Sequence, residues 1–361
     1  MEEKEILARI RLHLAPGVGP RRHHTLIRQY GNARKVLEAP RSLLRGVLDG
    51  EAIAWLSSRR SEQEAHKELR KTERLGARIL PHTHPDYPAA LGRIPTPPPL
   101  LWVAGRWPRR SGVALVGRRA ASKKGRELTN SLAARLADEG LSVISGGAYG
   151  IDAAAHKGCL EAGGLTVCVL GSSLDRPYPE RHMGLFKEIV RRGGTVVSHL
   201  KLSTEPHRGC FLQRNRIIAG LSLGVCVVEA GLRSGARNTA MHARKLQIPV
   251  MAVPGTSGTM KLLSEGAYRV EDAEDVLGVV LKNHIQLGVE PEGELPASQR
   301  ELLAATSVNG GRTPDELSAL CGLSLGETLS SLTELELLGL ITPLPGNRYL
   351  GAYKNEKRGG A

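Results

Sequence analysis

Aromatic residues are scarce in this chain of 361: three Trp, seven Tyr and two Phe. A Phe set among polar residues therefore stands out. The five cysteines (Cys159, Cys168, Cys210, Cys226 and Cys321) are scattered and form no C-x-x-C pair, so buried free thiols in a reducing compartment are expected. No apolar run approaches 18 residues, which excludes a membrane-spanning helix. The opening Met-Glu-Glu-Lys-Glu lacks the features of a secretory leader. A soluble, cytoplasmic chain is expected. Two phosphate-binding strings are missing as well. The first strand of the central region ends in Gly117-Arg118-Arg119-Ala120-Ala121, not G-x-G-x-x-G, and no G-x-x-x-x-G-K-[ST] occurs. Those absences argue against a dinucleotide cofactor and against ATP hydrolysis by this chain. No cofactor and no metal set are expected.

What is present is positive charge. Lys+Arg number 50 against 36 Asp+Glu, a formal net charge of +14. The excess is uneven. Residues 1–110 hold 21 basic against 11 acidic side chains, residues 111–285 hold 23 against 15, and residues 286–361 hold 6 against 10. Only the first two segments suit a polyanion. Length and these shifts suggest three domains, 1–80, 81–285 and 286–353, with a basic tail at 354–361. Within the second, residues 81–111 are proline-rich, including Pro97-Pro98-Pro99, and read as an extended lead-in.

From Gly112 the pattern is one of short β-branched runs separated by helical stretches: Val113–Gly117, Leu141–Ser145, Leu165–Gly171, Thr195–Ser198, Val225–Ala230 and Pro249–Pro254. Strands apolar on both faces with helices between them predict an α/β fold, a Rossmann-like doubly wound parallel sheet. Ligands of such sheets bind beyond the carboxyl ends of the strands. Here those ends carry Arg118, Ser122, Lys123 and Lys124, then Ser234 and Gly235, and the turn Ser145-Gly146-Gly147-Ala148-Tyr149-Gly150 that opens an Ala-rich helix containing Lys157. A strand, glycine turn and helix start predict an anion seat, because backbone N–H groups and the helix dipole both favour negative charge. A second run, Phe211-Leu-Gln-Arg214-Asn215-Arg216, sets two arginines beside one of the two Phe. Together they suggest a polyanion with bases to stack on. Residues two apart cannot share a helix face, so one arginine is expected on phosphate and the other tying loops together. Phe211 reads equally as core or as a stacking platform.

The acidic candidates have structural readings. Asp152 lies in the first turn of its helix, where the dipole stabilises a carboxylate. Glu229 ends a buried strand with no second acid or nucleophile in view, so holding a loop outranks catalysis. His156 has no Cys or His at metal spacing. No catalytic residue is expected.

At the N-terminus, two short helices flank Gly17-Val18-Gly19, a helix-hairpin-helix signature. Arg21, Arg22, His23 and His24 follow it. They serve either non-specific phosphate contact or a plain helical bundle. At the C-terminus, Thr313-x-x-Glu316 and Ser324-x-x-Glu327 are capping boxes. Leu325, Leu329, Leu332 and Leu335 fall on one stripe, and Leu338–Ile341 with Arg348–Leu350 read as a hairpin. That is a winged helix. Its would-be recognition helix offers Glu327, Glu334 and Glu336 without a single Lys or Arg, so contact with protein is favoured over DNA reading.

These strings, with Val116-Gly117-Arg118, Val228-Glu229-Ala230, Ser234-Gly235 and Val253-Pro254-Gly255 in order between about Tyr87 and Ala267, closely resemble the DNA-processing protein A (DprA/Smf) family. The resemblance implies a non-enzymatic, homodimeric single-stranded DNA binder that accepts DNA coated by single-strand-binding protein and loads RecA recombinase in natural transformation. It also supports DNA contact by Arg118 and the Phe211–Arg216 segment. Three positions depart from the family pattern: Tyr149 where an Arg is usual, His199 where Glu is common, and Met260 in the later Gly-Thr segment. The rival reading is a Rossmann-like nucleotide-binding or nucleotide N-glycosidic hydrolase, of which Pro254-Gly-Thr-Ser-Gly-Thr259 is a partial echo.

Overall fold

The computed structural model describes residues 2–108, 111–287, 296–306, 311–337, 341–344 and 346–351. Two compact units result, one built from residues up to 108 together with 112–273, the other from 274 onward.

The first unit opens with six helices: α1 (Glu3–Leu14), α2 (Pro20–Tyr30), α3 (Ala33–Glu38), α4 (Arg41–Leu44), α5 (Gly50–Leu56) and α6 (Arg59–Arg74). Their boundaries are written in the sequence. Pro20 starts α2, where a missing N–H costs nothing, and Gly31 ends it at φ +86°. Asn32, Asp49 and Ser58 cap α3, α5 and α6 through their side chains. Leu12, Leu26, Val36, Ile53 and Leu56 form the bundle's interior.

A nine-stranded sheet follows: β1 (Ala77–Pro81), β2 (Leu100–Gly105), β3 (Gly112–Gly117), β4 (Ser142–Ser145), β5 (Thr166–Val169), β6 (Thr195–Ser198), β7 (Val225–Glu229), β8 (Val250–Ala252) and β9 (Tyr268–Arg269). Strands β3 to β8 are buried almost throughout, as their unalternating apolar runs require. The helices between them are α7 (Lys123–Asp138), α8 (Ile151–Glu161), α9 (Met183–Arg191), α10 (Arg208–Leu221), α11 (Gly235–Lys245) and α12 (Ser257–Ser264).

The order is β1-β2-β6-β5-β4-β3-β7-β8-β9. Strands β3 to β9 run parallel, while β2 pairs antiparallel with both β6 and β1. The chain leaves β3 toward β4 on one side and returns to β7 on the other. The gap beyond the carboxyl ends of β3 and β7 is thus the topological switch point, where doubly wound sheets open a crevice.

Two expectations are corrected here. Residues 81–111 are not simply an extended lead-in, because Leu100–Gly105 is a full strand of the sheet. The sheet also begins before residue 81, with β1. Ile79, Leu100 and Trp102 of these strands pack with Ile10, Ala65 and Leu202, so bundle and sheet share a core.

In the second unit, α13 (Ala273–Leu287) precedes α14 (Ala297–Thr306), α15 (Pro314–Cys321), α16 (Leu325–Leu337), β10 (Ile341–Leu344) and β11 (Arg348–Gly351). Both capping boxes form, Thr313 with Glu316 and Ser324 with Glu327. The buried stripe of α16 differs from expectation. Thr328, Leu332 and Leu335 are buried, whereas Leu325 and Leu329 are 45 % and 42 % exposed. The stripe follows the i, i+4, i+7 spacing, which starts at Thr328 and leaves the two leucines outside it. The hairpin pairs Ile341–Leu344 with Arg348–Gly351; residues 338–340 of the expected first strand lie outside the described residues. The expected basic tail at 354–361 falls outside the described residues.

Candidate nucleic-acid interface

An open cleft of about 1150 Å³ lies at the switch point. Its floor is the pair Arg214 and Asp152. Both are only 6 % exposed. Arg214 sits on the buried face of α10 with Cys210, Ile217, Ile218 and Leu221. Its Nη1 donates to the Gly146 carbonyl at 2.6 Å and to that of Val169. Burial lowers its pKa, and the facing Asp152 opposes that. Burial likewise raises the Asp152 carboxyl; Arg214 and backbone N–H groups of Ala148, Gly117 and Gly146 pull the other way. The Asp152 Oδ2 accepts from Ala148 N at 3.4 Å. At the glycine turn a backbone N–H is thus met by the protein's own carboxylate.

A second acid is bonded internally at the end of β7, behind the lining of the cleft. Glu229 accepts from the backbone N–H of Ser122 at 3.0 Å and from its hydroxyl, while Ser122 Oγ caps α7 by accepting from Gly125 N at 2.9 Å. A side chain at Gly125 would collide with the Glu229 carboxyl group. The N-termini of α7 and α8 are both served by internal acids. Asn215 donates to the carbonyl of Gly235 at 3.2 Å and to Asn238 Oδ1 at 3.1 Å, fixing the start of α11, which Ser234 caps.

The turn glycines serve close packing. Gly147, at φ +69°, lies against Cys168 and Phe186. Gly150, at φ +76°, lies against the carbonyls of Arg118 and Arg119, and Ile151 N donates to the former at 3.2 Å. A short turn of this shape presses β3's outgoing loop onto α8 and holds Arg118 and Arg119 at the cleft.

The exposed lining is cationic and aromatic. Arg118, Arg119, Arg208 and Arg233 border the cleft and all are exposed. Phe211, half-buried, lies edge-on to Tyr178 with ring centres 5.7 Å apart, and the Arg119 guanidinium stands 5.7 Å from the Phe211 ring centre. A ring carrying a cation on its face still presents area for a base. Tyr149 is 38 % exposed at the adjoining end, edge-on to His182 at 4.7 Å, and His182 Nδ1 donates to the Gly147 carbonyl at 2.9 Å.

Of the residues singled out in the sequence, Arg118, Asp152, Phe211, Arg214, Asn215, Ser234 and Gly235 line the cleft, and Gly146 and Tyr149 line its narrow end. Ser122, Lys123, Lys124, Gly147, Gly150, Lys157, Arg216 and Glu229 are not in that lining. Lys123, Lys124 and Lys157 are exposed on α7 and α8. Arg216 is half-buried on α10, outside that lining. Arg214, expected in the DNA groove, is buried and bonds the carbonyls of Gly146 and Val169. Sequence reasoning missed Arg119, Arg208, Arg233 and Tyr178. At the N-terminus, His23 is fully buried and so makes no phosphate contact, while the half-buried His24 bonds the Pro97 carbonyl at 2.8 Å. Among the described residues, one group has metal-ligand geometry, His23, His24 and His82, and it lies outside the cleft.

Comparison with known proteins adds to this geometry. The model of the family described as DNA recombination-mediator protein A matches residues 78–280, more than half of the chain. The chain belongs to this family. A DprA-like N-terminal helix-hairpin-helix domain matches residues 3–66 and a DprA winged helix domain matches 289–347. Among the family's members, Protein Smf of Synechocystis is 30 % identical, the alignment covering 92 % of this chain and 95 % of that one. The putative DNA processing protein DprA of Mycobacterium tuberculosis is 35 % identical over 84 % and 85 %. The crystal structure of DprA from Streptococcus pneumoniae superposes with a TM-score of 0.60 at 28 % identity, covering 75 % of this chain and 95 % of that one. DprA of Helicobacter pylori, described as binding single-stranded DNA, superposes with a TM-score of 0.52 at 29 % identity over 57 % and 96 %.

Proposed function

We propose that this chain is a non-enzymatic, sequence-independent binder of single-stranded DNA that delivers its strand to a RecA recombinase during natural transformation. The observation that carries the reading is the switch-point cleft. Four exposed arginines and two aromatic rings border it, while Asp152 lies in the first turn of α8 and Glu229 holds the cap residue of α7. Phosphates are met by flexible side chains along an open edge, and bases have Phe211 and Tyr178 to stack on. The H. pylori relative supports single-stranded DNA as the ligand. The family relation supports RecA and single-strand-binding protein as partners and the cytoplasm as the site of action. Homodimerisation is supported by the large apolar side chains Met241, Met260 and Tyr268, each about half exposed on α11, α12 and β9 at one end of the sheet.

The hydrolase reading is weaker on this geometry. The echo Pro254–Thr259 is consumed in capping α12, with Thr256 Oγ1 accepting from Ala230 N at 3.0 Å and Gly258 N donating to the Ala230 carbonyl at 2.8 Å. Glu229 is held by Ser122.

The test is fluorescence anisotropy of labelled oligo-dT and of a matched duplex across a salt series. Tight, salt-sensitive binding of the single strand is expected, with log K falling by roughly 0.7 per phosphate neutralised for each tenfold rise in salt. Arg118→Ala with Arg119→Ala lowers affinity and flattens the slope. Release of free base from a mononucleotide would reject the non-enzymatic reading. Unchanged binding in the double variant would reject the cleft.

A further inference from the structure

We propose that His23, His24 and His82 form a binding site for one Zn²⁺-class ion that clips the N-terminal helical bundle to the edge of the sheet. One ring nitrogen of each lies within 4.8 Å of the others. His23 and His24 stand in the first turns of α2, and His82 follows β1 directly. The ring centres of His24 and His82 are 4.4 Å apart, and His23 lies 6.0 and 6.3 Å from them.

The feature that points to a ligand is His23. It is fully buried, and neither of its ring nitrogens has a hydrogen-bond partner. A neutral imidazole carries one donor and one acceptor, and leaving both unmet in the interior is costly. A metal ion answers the acceptor nitrogen directly.

The neighbours are already arranged as outer-shell partners. Pro97 O can only accept, so His24 Nε2 is the protonated nitrogen in their 2.8 Å bond and the lone pair is left on Nδ1. Metal-binding histidines characteristically give their other N–H to a carbonyl in this way, which sets tautomer and ring orientation. His82 Nδ1 has only a 3.5 Å contact from Arg9 Nη1. Arg9 donates and cannot accept, so that nitrogen also carries a lone pair. The Arg9 charge is itself answered by Glu5, at 2.7 Å in a buried ion pair.

Three imidazoles suit Zn²⁺, Cu²⁺ or Ni²⁺ over the oxygen-seeking Mg²⁺ and Ca²⁺. Tetrahedral coordination with bonds of about 2.0–2.1 Å needs ring nitrogens about 3.3 Å apart, so the triad must close by at most about 1.5 Å through ring rotation. A fourth position remains for water. The site is far in sequence from any Cys, and its ligands come from two elements, which is why no spacing in the chain advertises it.

The test uses the full chain freed of metal by chelation and titrated with Zn²⁺ by calorimetry, then with Co²⁺ by visible absorption. One equivalent of Zn²⁺ is expected, with a rise in the thermal midpoint. Co²⁺ should give the intense bands of four-coordinate geometry. His24→Gln and His82→Ala should each weaken Zn²⁺ at least tenfold and abolish the thermal shift, while His66→Ala, outside the cluster, should change neither. Absence of saturable uptake by the wild-type chain would overturn the proposal. So would the weak spectrum of six-coordinate Co²⁺, a reading that needs no variant to fold. Uptake undiminished in both cluster variants would overturn it as well.

Discussion

Replacing Arg214 by Ala separates two accounts of the same residue. By position in the sequence it is a groove arginine; by burial it is a structural cation. The substitution removes two charge-assisted bonds, to the Gly146 and Val169 carbonyls. It also strips Asp152 of its facing cation at a site only 6 % exposed. Hydrogen bonds made by a charged group contribute about 1.5–3 kcal/mol each, so losing both costs about 3–5 kcal/mol, against a total domain stability of about 5–15 kcal/mol. For a unit of this size that corresponds to a fall in thermal midpoint of roughly 6–20 °C. The double variant Arg214→Ala/Asp152→Asn, which removes the stranded charge, should recover part of the loss, as coupled neighbours do. Urea titration at constant slope, run beside the oligo-dT assay at a temperature where both variants are folded, reads stability and binding separately. Arg118→Ala should show the opposite profile, with stability unchanged and the salt slope reduced by roughly 0.7. If Arg214→Ala left the midpoint within 1 °C or so of wild type and lowered the salt slope instead, Arg214 would be a phosphate contact and the reasoning here would be wrong.

Phe211→Ala should weaken oligo-dT binding by about 1–3 kcal/mol without altering the salt slope, since stacking releases no counterions; a changed slope would assign the loss to Arg119, which lies against the ring. Gly150→Ala should destabilise the first unit and misplace Arg118 and Arg119, because Gly150 has φ +76° and an added Cβ would meet both carbonyls; a soluble variant with wild-type midpoint and affinity would contradict this. His156 is fully buried and its pKa is depressed to about 3. Its neutral form is the folded one, so its contribution to stability is complete above pH 6.5 and is lost as pH falls, when the unfolded chain takes the proton first. The expected slope is about 1.4 kcal/mol per pH unit from this residue, and urea titrations between pH 4 and pH 7 on His156→Gln should show a slope shallower by that amount.

The parallel strands could be read from composition because each is a β-branched run with no polar alternation, and β3 to β8 fall where those runs lie. Strands β1 and β2 were hidden for a physical reason. They are antiparallel additions at one edge, and β2 sits directly after Pro97-Pro98-Pro99, whose density of prolines signals a connector. The candidate site was legible as a region and less so by residue. Arg214 looked like a groove residue beside Phe211, yet the stripe Cys210, Ile217, Ile218 and Leu221 passes through it, and that periodicity marked it for burial. Glycines near a helix start suggest a cradle for phosphate; Gly146, Gly147 and Gly150 instead let a guanidinium, a phenyl ring and two carbonyls approach the turn. Arg119, Arg208 and Arg233 lie in loops or at a helix start, and only the sheet's topology brings them to one opening. His23, His24 and His82 met across the bundle and sheet for the same reason.

Asp152 and Glu229 have a consequence for what the cleft can be distracted by. A cell holds abundant free mononucleotides, each able to dock one or two phosphates at a vacant helix start. Here Asp152 lies in the first turn of α8 and Glu229 holds the cap residue of α7, so a small nucleotide would meet negative charge beside those starts and only separate surface arginines, each worth little alone. A polymer gains from every arginine it reaches, and its grip grows with the number of links it lays across the opening. On the proposed function, occupancy by long strands in the presence of a large pool of monomers would follow: the cleft would discriminate by length.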